Sequence, residues 1–163
     1  MKLRILVAAV LLSPSIALAD QLERFEEVSN RMNALMGEMM AKEVEQAGGD
    51  GDIIRAAIPM DAWNDVAREA ATCILDRFDA EIGSDAIDDM MDRMDAVIEA
   101  AADMTMTEFT DSDDMANMLP EGMTEEMSTQ ITQECGMIEA QLDRMEASGF
   151  SAALMEAYSS VNE

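Results

Sequence analysis

LERFEEVSNRMNALMGEMMAKEVEQA, Leu22 to Ala47, decides the fold class. Leu22, Phe25, Val28, Met32, Leu35, Met36, Met39 and Val44 recur at steps of three and four, the spacing of one face of an α-helix. Glu27 and Arg31 form a favourable i,i+4 pair on the other side. Gly48-Gly49 follows, and glycine accepts the left-handed turn past a helix C-terminus. Alternation with a period of two, the mark of a half-buried strand, is nearly absent from the whole chain.

Working outward, the pattern repeats. Asp50-Gly51-Asp52 makes a loop, and Ile53 to Ile58 is a short apolar segment of one or two helical turns stopped by Pro59. Asp61 is placed to cap a second long helix over Ala62 to Ile82, with Trp63, Val66, Ala67, Ala70, Ile74 and Phe78 on one face and Gly83 at its end. Ser84 is placed to cap a third, Asp85 to Ala102. Its inner face is Ile87, Met90, Met91, Met94, Ile98 and Ala101, and its outer face is Asp85, Asp88, Asp92, Asp95 and Glu99. That acidic stripe reads as a solvent face, with Arg93 offsetting Asp89. Asp103 to Gly122 reads as a loop with one short helix near Asp113 to Leu119. Thr124 caps a fourth helix running to Ala147, with the stripe Met127, Ile131, Cys135, Ile138, Leu142 and Met145, and a short final helix carries Phe150, Leu154, Ala157, Tyr158 and Val161. The expectation is an all-α protein: an antiparallel bundle of about four long amphipathic helices plus short ones.

Residues 1–19 read as a secretory signal peptide, and 20–163 as a single helical domain. Lys2 and Arg4 supply the basic start, Ile5 to Leu12 the short apolar run, and Ala17-Leu18-Ala19 the small residues of a cleavage site, with Asp20 as the mature start. The apolar run is far shorter than the roughly 20 residues of a spanning helix, so the expected product is periplasmic or secreted, without a membrane span. In an oxidising compartment the two cysteines, Cys73 and Cys135, should pair. Both fall on or beside inner faces of long helices, so the bridge would join two of them.

Cleavage would leave 8 basic residues against 35 acidic ones, a net charge of −27. Such an excess argues against nucleic acid or anionic lipid as a partner. It reads first as plain solvation, and it allows solubility in a salty habitat, attraction to a cationic partner or loose cation binding. A protein partner would be one with a cationic or apolar surface. Histidine is absent, which removes the commonest general base and the imidazole ligands of zinc and copper(II). Carboxylates are so numerous that a glycosidase-like pair has no diagnostic value. Asp50-Gly51-Asp52 and Asp111-Ser112-Asp113 each miss the third ligand of an EF-hand loop. The expectation is a non-enzymatic protein.

Methionine is the unusual feature, 17 residues after Ala19 against 6 leucines. Three readings follow. A Met-rich apolar surface would suit a holdase-like or partner-binding role, because methionine re-packs cheaply around varied partners. Alternatively, Met36, Met39, Met40, Met90, Met91 and Met94 would bind copper(I), since thioethers select soft metals and MxxM spacing puts two sulfurs on one helix face. The third is a purely structural or solubility role. For the clusters themselves the first expectation is packing, since most of these methionines occupy inner positions of their stripes where leucine would normally sit. Whether the clusters line an open groove or close into the core separates the first two.

Overall fold

The computed structural model describes residues 14–59, 63–112 and 118–161, with side chains of the first helix from residue 19 onward. The described residues form eight helices and no strand: α1 Pro14–Gln46, α2 Asp52–Ala57, α3 Asp65–Ile82, α4 Ser84–Ala100, α5 Met106–Asp111, α6 Glu125–Glu134, α7 Met137–Ala147 and α8 Phe150–Ser160. No described helix is long and apolar enough to cross a membrane. The run Ile5 to Leu12 lies outside the described residues, and α1 continues without a break through Ala19.

The anticipated glycine stop to α1 is present: Gly48 has φ +90°, and the Gly49 N–H bonds to the Val44 carbonyl at 2.8 Å. Gly37, inside α1, has a different purpose. A Cβ there would lie 2.4 Å from Ile58 Cδ1, so glycine is what lets the segment after α2 press against this helix. α3 starts later than expected. Asn64, not Asp61, caps it, its side chain accepting from Ala67 N at 2.9 Å, while Asp61 lies outside the described residues. Trp63 is therefore in the connection before the helix. Ser84 is the first residue of α4 rather than its cap; Gly83 precedes it with φ +85°.

Two expectations over residues 103–147 are corrected. Met106–Asp111 is helical, not loop, because Thr105 and Glu108 make a reciprocal capping box. The short helix expected near Asp113 to Leu119 falls mostly outside the described residues. The fourth long helix begins at its Thr124 cap as anticipated, but it breaks at Cys135-Gly136, where Gly136 has φ +74°. The break resets the helical phase. In α7 the buried positions are Met137, Ala140 and Arg144, whereas the expected Ile138 and Leu142 are 40% and 59% exposed.

The Cys73–Cys135 disulfide joins α3 to the residue just before this break, with a Cα–Cα distance of 5.7 Å. Side-chain contacts give the helix directions. Glu26 and Asn30 of α1 meet the start of α3 at Arg68 and Trp63, while Gln21 meets Ser84 just past its end. α1 and α3 are therefore antiparallel. Gln21 and Arg31 of α1 meet Asp88 and Asp95 of α4, so α1 and α4 run the same way. Three helices sharing one interface must contain one such pair.

The core has three parts. The first is built by α3, α4, α6 and α7 around Ile74, Leu75, Phe78, Ile87 and Met91, with Leu22 and Phe25 of α1 against it. The second joins α1, α4 and α5 around Met39, Val97, Ala101 and Phe109. The third joins α1, α2 and α8 around Ala41, Val44, Ile54, Phe150 and Ala157. Fully buried side chains such as Leu75 and Ile87 each contribute roughly 1.5–3 kcal/mol relative to exposure.

Candidate functional site

The methionine stripes close into the core. Met90 and Met91 are buried in the first cluster with Met94 packed beside them. Met36 and Met39 belong to the second cluster, while Met40, next in sequence, turns to the third. The six residues singled out as soft-metal ligands are thus divided among three parts of the core. Among the described methionines only Met155 is strongly exposed, at 74%. Among the described residues the other large exposed apolar side chains are Val66, Ile138, Leu142 and Tyr158.

The second cluster gathers a set that sequence spacing did not join. Met32 and Met36 of α1, Met104 and Met106 around the start of α5, and Met118 beyond it are all half-buried against the same floor of Met39, Leu35, Val97, Ala101 and Phe109. The backbone carrying Met104 and Met106 is fixed. The Glu108 carboxylate accepts from Thr105 N at 2.8 Å and from its hydroxyl at 3.0 Å, while Thr105 Oγ1 accepts from Glu108 N at 3.2 Å. These bonds, the backbone N–H first, hold the Glu108 carboxyl below its ordinary pKa. Thr107 donates to Glu43 and Lys42 to the Ala102 carbonyl, tying the start of α5 and the end of α4 to α1. The Thr-x-x-Glu signature at 105–108 was readable in the sequence; the contact of α5 with α1 was not.

A second arrangement is a buried polar clamp. Glu26 and Arg144 are each only 7% exposed. The Glu26 carboxylate accepts from Trp63 N at 2.7 Å and pairs with Arg68 at 2.6 Å. Asn30 Oδ1 accepts from Trp63 Nε1 at 3.0 Å and from Arg144 at 3.3 Å. The Arg144 guanidinium also donates to Gln141 and to the Pro59 carbonyl, and stacks 5.6 Å from the Trp63 ring, which Phe25 meets edge-on at 5.8 Å. Buried polar groups are tolerated when they satisfy one another. Here they lock α1, α3, α7 and the connection before α3 together. Once α7 restarts at Met137, Arg144 falls at the seventh step of its inner face, the one signal that could have marked it.

The cations are committed to internal contacts. Arg24 pairs with Asp92 and lies 4.0 Å from Asp88 and 3.9 Å from Asp95, and Arg31 pairs with Asp95. The acidic stripe of α4 is therefore, over Asp88, Asp92 and Asp95, a seam with α1 rather than a purely solvent face. Arg31 pairs there and not with Glu27. Arg93 does pair with Asp89, at 2.6 Å. Arg55 binds Glu38 at 2.7 Å, Glu45 at 2.5 Å and Asp52 at 3.0 Å, and Arg77 binds Glu134 at 2.5 Å. Hydrogen bonds from Arg55 hold the Glu38 and Glu45 carboxyls below their ordinary values, and Glu38 above all raises Arg55. Gln130, then Arg77, does the same for Glu134.

Two shallow surface depressions among the described residues are lined by polar side chains, one by Glu125, Glu126, Thr129, Gln130 and Gln133 of α6, another by Asp65, Arg68, Glu69 and Thr72 of α3. Among the described residues no three His, Cys, Asp or Glu side chains are arranged to hold a metal ion. The Asp50 carboxylate accepts from Asp52 N at 3.0 Å, the local bond of a turn. Comparison with known protein families, characterised proteins and solved structures gives no match.

Proposed function

We propose that this is a non-enzymatic, exported binding protein that presents an acidic exterior to a cationic partner in the periplasm or outside the cell. The observation that carries the reading is the placement of the cations. Arg24, Arg31, Arg55, Arg68, Arg77 and Arg93 each form an ion pair within the fold, and Lys42 is tied to a backbone carbonyl. The chain carries 35 acidic residues against 10 basic ones, and among the described residues the ion pairs reach only Glu26, Glu38, Glu45, Asp52, Asp88, Asp89, Asp92, Asp95 and Glu134. A surface of one sign attracts the opposite sign over about a Debye length and raises association rates. The Cys73–Cys135 bridge supports an oxidising compartment, and the signal-like start supports export with Asp20 as the first mature residue.

The inward methionines favour this reading over a holdase-like apolar groove. The test compares both in one series. Calorimetric titration with a lysine-rich unstructured polypeptide should show binding that weakens steeply as sodium chloride rises from about 0.05 to 0.5 M. The protein should not slow the aggregation of a denatured client of neutral charge. Suppressed aggregation without salt-sensitive binding would overturn the proposal in favour of an apolar surface.

A further inference from the structure

α7 buries an arginine and exposes an isoleucine and a leucine. Met137, Ala140 and Arg144 face the core, while Ile138 and Leu142 are 40% and 59% exposed. The inward place of Arg144 has its cause in the fold, where Asn30, Gln141 and the Pro59 carbonyl accept from its guanidinium and the Trp63 ring stacks on it. That clamp sets the phase of the helix, but it does not require branched apolar residues at the positions turned outward. A lone apolar side chain on a surface is ordinary. Ile138 and Leu142 are four residues apart, so they adjoin on one side of α7, the spacing at which one helix meets another. The charges beside them are of one sign. Glu139, Asp143 and Glu146 are exposed, and none of the three joins an ion pair among the described residues. Arg144, the one cation of α7, is turned into the clamp.

We infer that the outer face of α7 docks a cationic amphipathic helix of a protein partner. An apolar stripe on that helix, with residues at steps of three and four, lies along Ile138 and Leu142, and lysine or arginine beside the stripe meets Glu139, Asp143 and Glu146. α7 has 11 residues, so about three turns of the partner cover it. Charge selects the occupant. A second copy of this chain would bring its own excess of carboxylates, 35 acidic residues against 10 basic ones, against the same three acids, and like charges across an interface oppose association. An anionic lipid surface is repelled in the same way. A basic helix gains from the acids at long range, which speeds its approach, and from the apolar pair on contact, which slows its release. The inference rests on the cationic-partner reading and adds to it a place on the fold and an apolar stripe in the partner.

The experiment titrates the full-length mature protein with two synthetic peptides of lysine and leucine, each about 18 residues or five helical turns. Their composition and charge are the same. One sets its leucines along a single helix face, and the other spreads them around the helix. Calorimetry at about 0.15 M sodium chloride should show the one-faced peptide binding at least tenfold tighter, and amide resonances of the 15N-labelled protein should shift most in Met137–Ala147. Ile138→Gln and Leu142→Gln together should bring the one-faced peptide down to the affinity of the other, with the circular dichroism spectrum intact. Equal binding of the two peptides to the unaltered protein would overturn the inference and leave the cationic-partner reading standing, whereas no binding of either would remove both. Shifts centred away from α7, or a folded double variant that keeps the tenfold preference, would also overturn it. So would sedimentation showing a dimer of the peptide-free protein that the double variant loses, since a second copy would then cover the face. The peptide comparison and the amide shifts are read on the unaltered protein, so they decide the matter even where the double variant does not fold.

Discussion

Removing the Cys73–Cys135 bridge should lower the melting temperature by about 8–16 °C. The bridge spans a sequence separation of 62. A loop of that length restricts the unfolded chain by about 4 kcal/mol at 25 °C in the chain-entropy treatment. For a domain of this size each kcal/mol moves the melting point by about 2–4 °C. Little native packing should offset this, since both cysteines are only half-buried. The loss should also have a location. Besides the bridge, α6 is held to α3 and its neighbours by Met123, Met127 and Ile131 in the first core cluster and by the Arg77–Glu134 pair. Amide exchange in Glu125–Glu134 should therefore accelerate more than in Asp65–Ile82 when the bridge is reduced. The assay is thermal unfolding followed by circular dichroism, with and without a phosphine reductant, beside a Cys73→Ser/Cys135→Ser variant that should melt at the reduced value and ignore the reductant. A shift under about 3 °C, with both thiols shown to be free, would refute the reasoning: the unbridged chain would already be as restricted as the bridged one.

Other substitutions and conditions follow from the same contacts. Gly37→Ala should destabilise by about 1–3 kcal/mol in urea unfolding despite the better helix propensity of alanine, because its Cβ would meet Ile58 at 2.4 Å. Met39→Leu should cost less than about 1.5 kcal/mol and Met39→Ala about 2–5 kcal/mol in the same assay, since Met39 is fully buried. Glu38, Glu45 and Glu134 have lowered folded-state values, so their contribution is complete above the unfolded carboxylate value, about 4.3, and is lost as pH falls through the folded values. Denaturant midpoints measured from pH 6 down to pH 2 should fall below about pH 4. At neutral pH added sodium chloride should raise the melting temperature by screening self-repulsion, and a falling melting temperature would mean that the inter-helix ion pairs outweigh it.

Much of the helical framework was legible because local chemistry decided it. The glycines at 48 and 83 end α1 and α3 with positive φ, as residues placed past a helix C-terminus should. Thr124 caps α6. Both half-cystines lay beside inner faces, so their pairing needed only two helices in contact. The break at Gly136 was not legible, for a definite reason. Met127, Ile131, Cys135, Ile138, Leu142 and Met145 are spaced 4-4-3-4-3, a continuous stripe, and an isolated glycine in such a stripe costs only about 1 kcal/mol. The competing phase, Met137, Ala140 and Arg144, is less apolar and looks worse on paper. Two tertiary facts go with it. The disulfide holds Cys135 against α3, and Trp63 with Asn30 offers Arg144 a ring face and a carbonyl. A buried arginine that loses to leucine in a lone helix is favoured once its partners are in place.

The same degeneracy explains the charges and the methionines together. Asp88, Asp92 and Asp95 are spaced so that they must share a face of α4, but spacing says nothing of what lies opposite. Arg24 and Arg31, seven residues apart on α1, repeat after two turns and meet those aspartates only because α1 and α4 run in the same direction. An antiparallel pairing would have set other α1 side chains against them. Likewise MxxM spacing put Met36 and Met39 on one face, and they do share a cluster. Met40, one residue on and rotated by about 100°, was assigned with them and belongs with Phe150 and Ile54 instead. Met104 and Met106 carry no helical spacing, because Thr105 between them is a cap. They join Met32 and Met36 through the turn from α4 into α5. Periodicity therefore gives each side chain an inside or an outside, and helix direction and turns decide which insides meet. For this chain the difference decides which methionines share a cluster: Met36 and Met39 with Met32, Met104 and Met106, and Met40 apart from them.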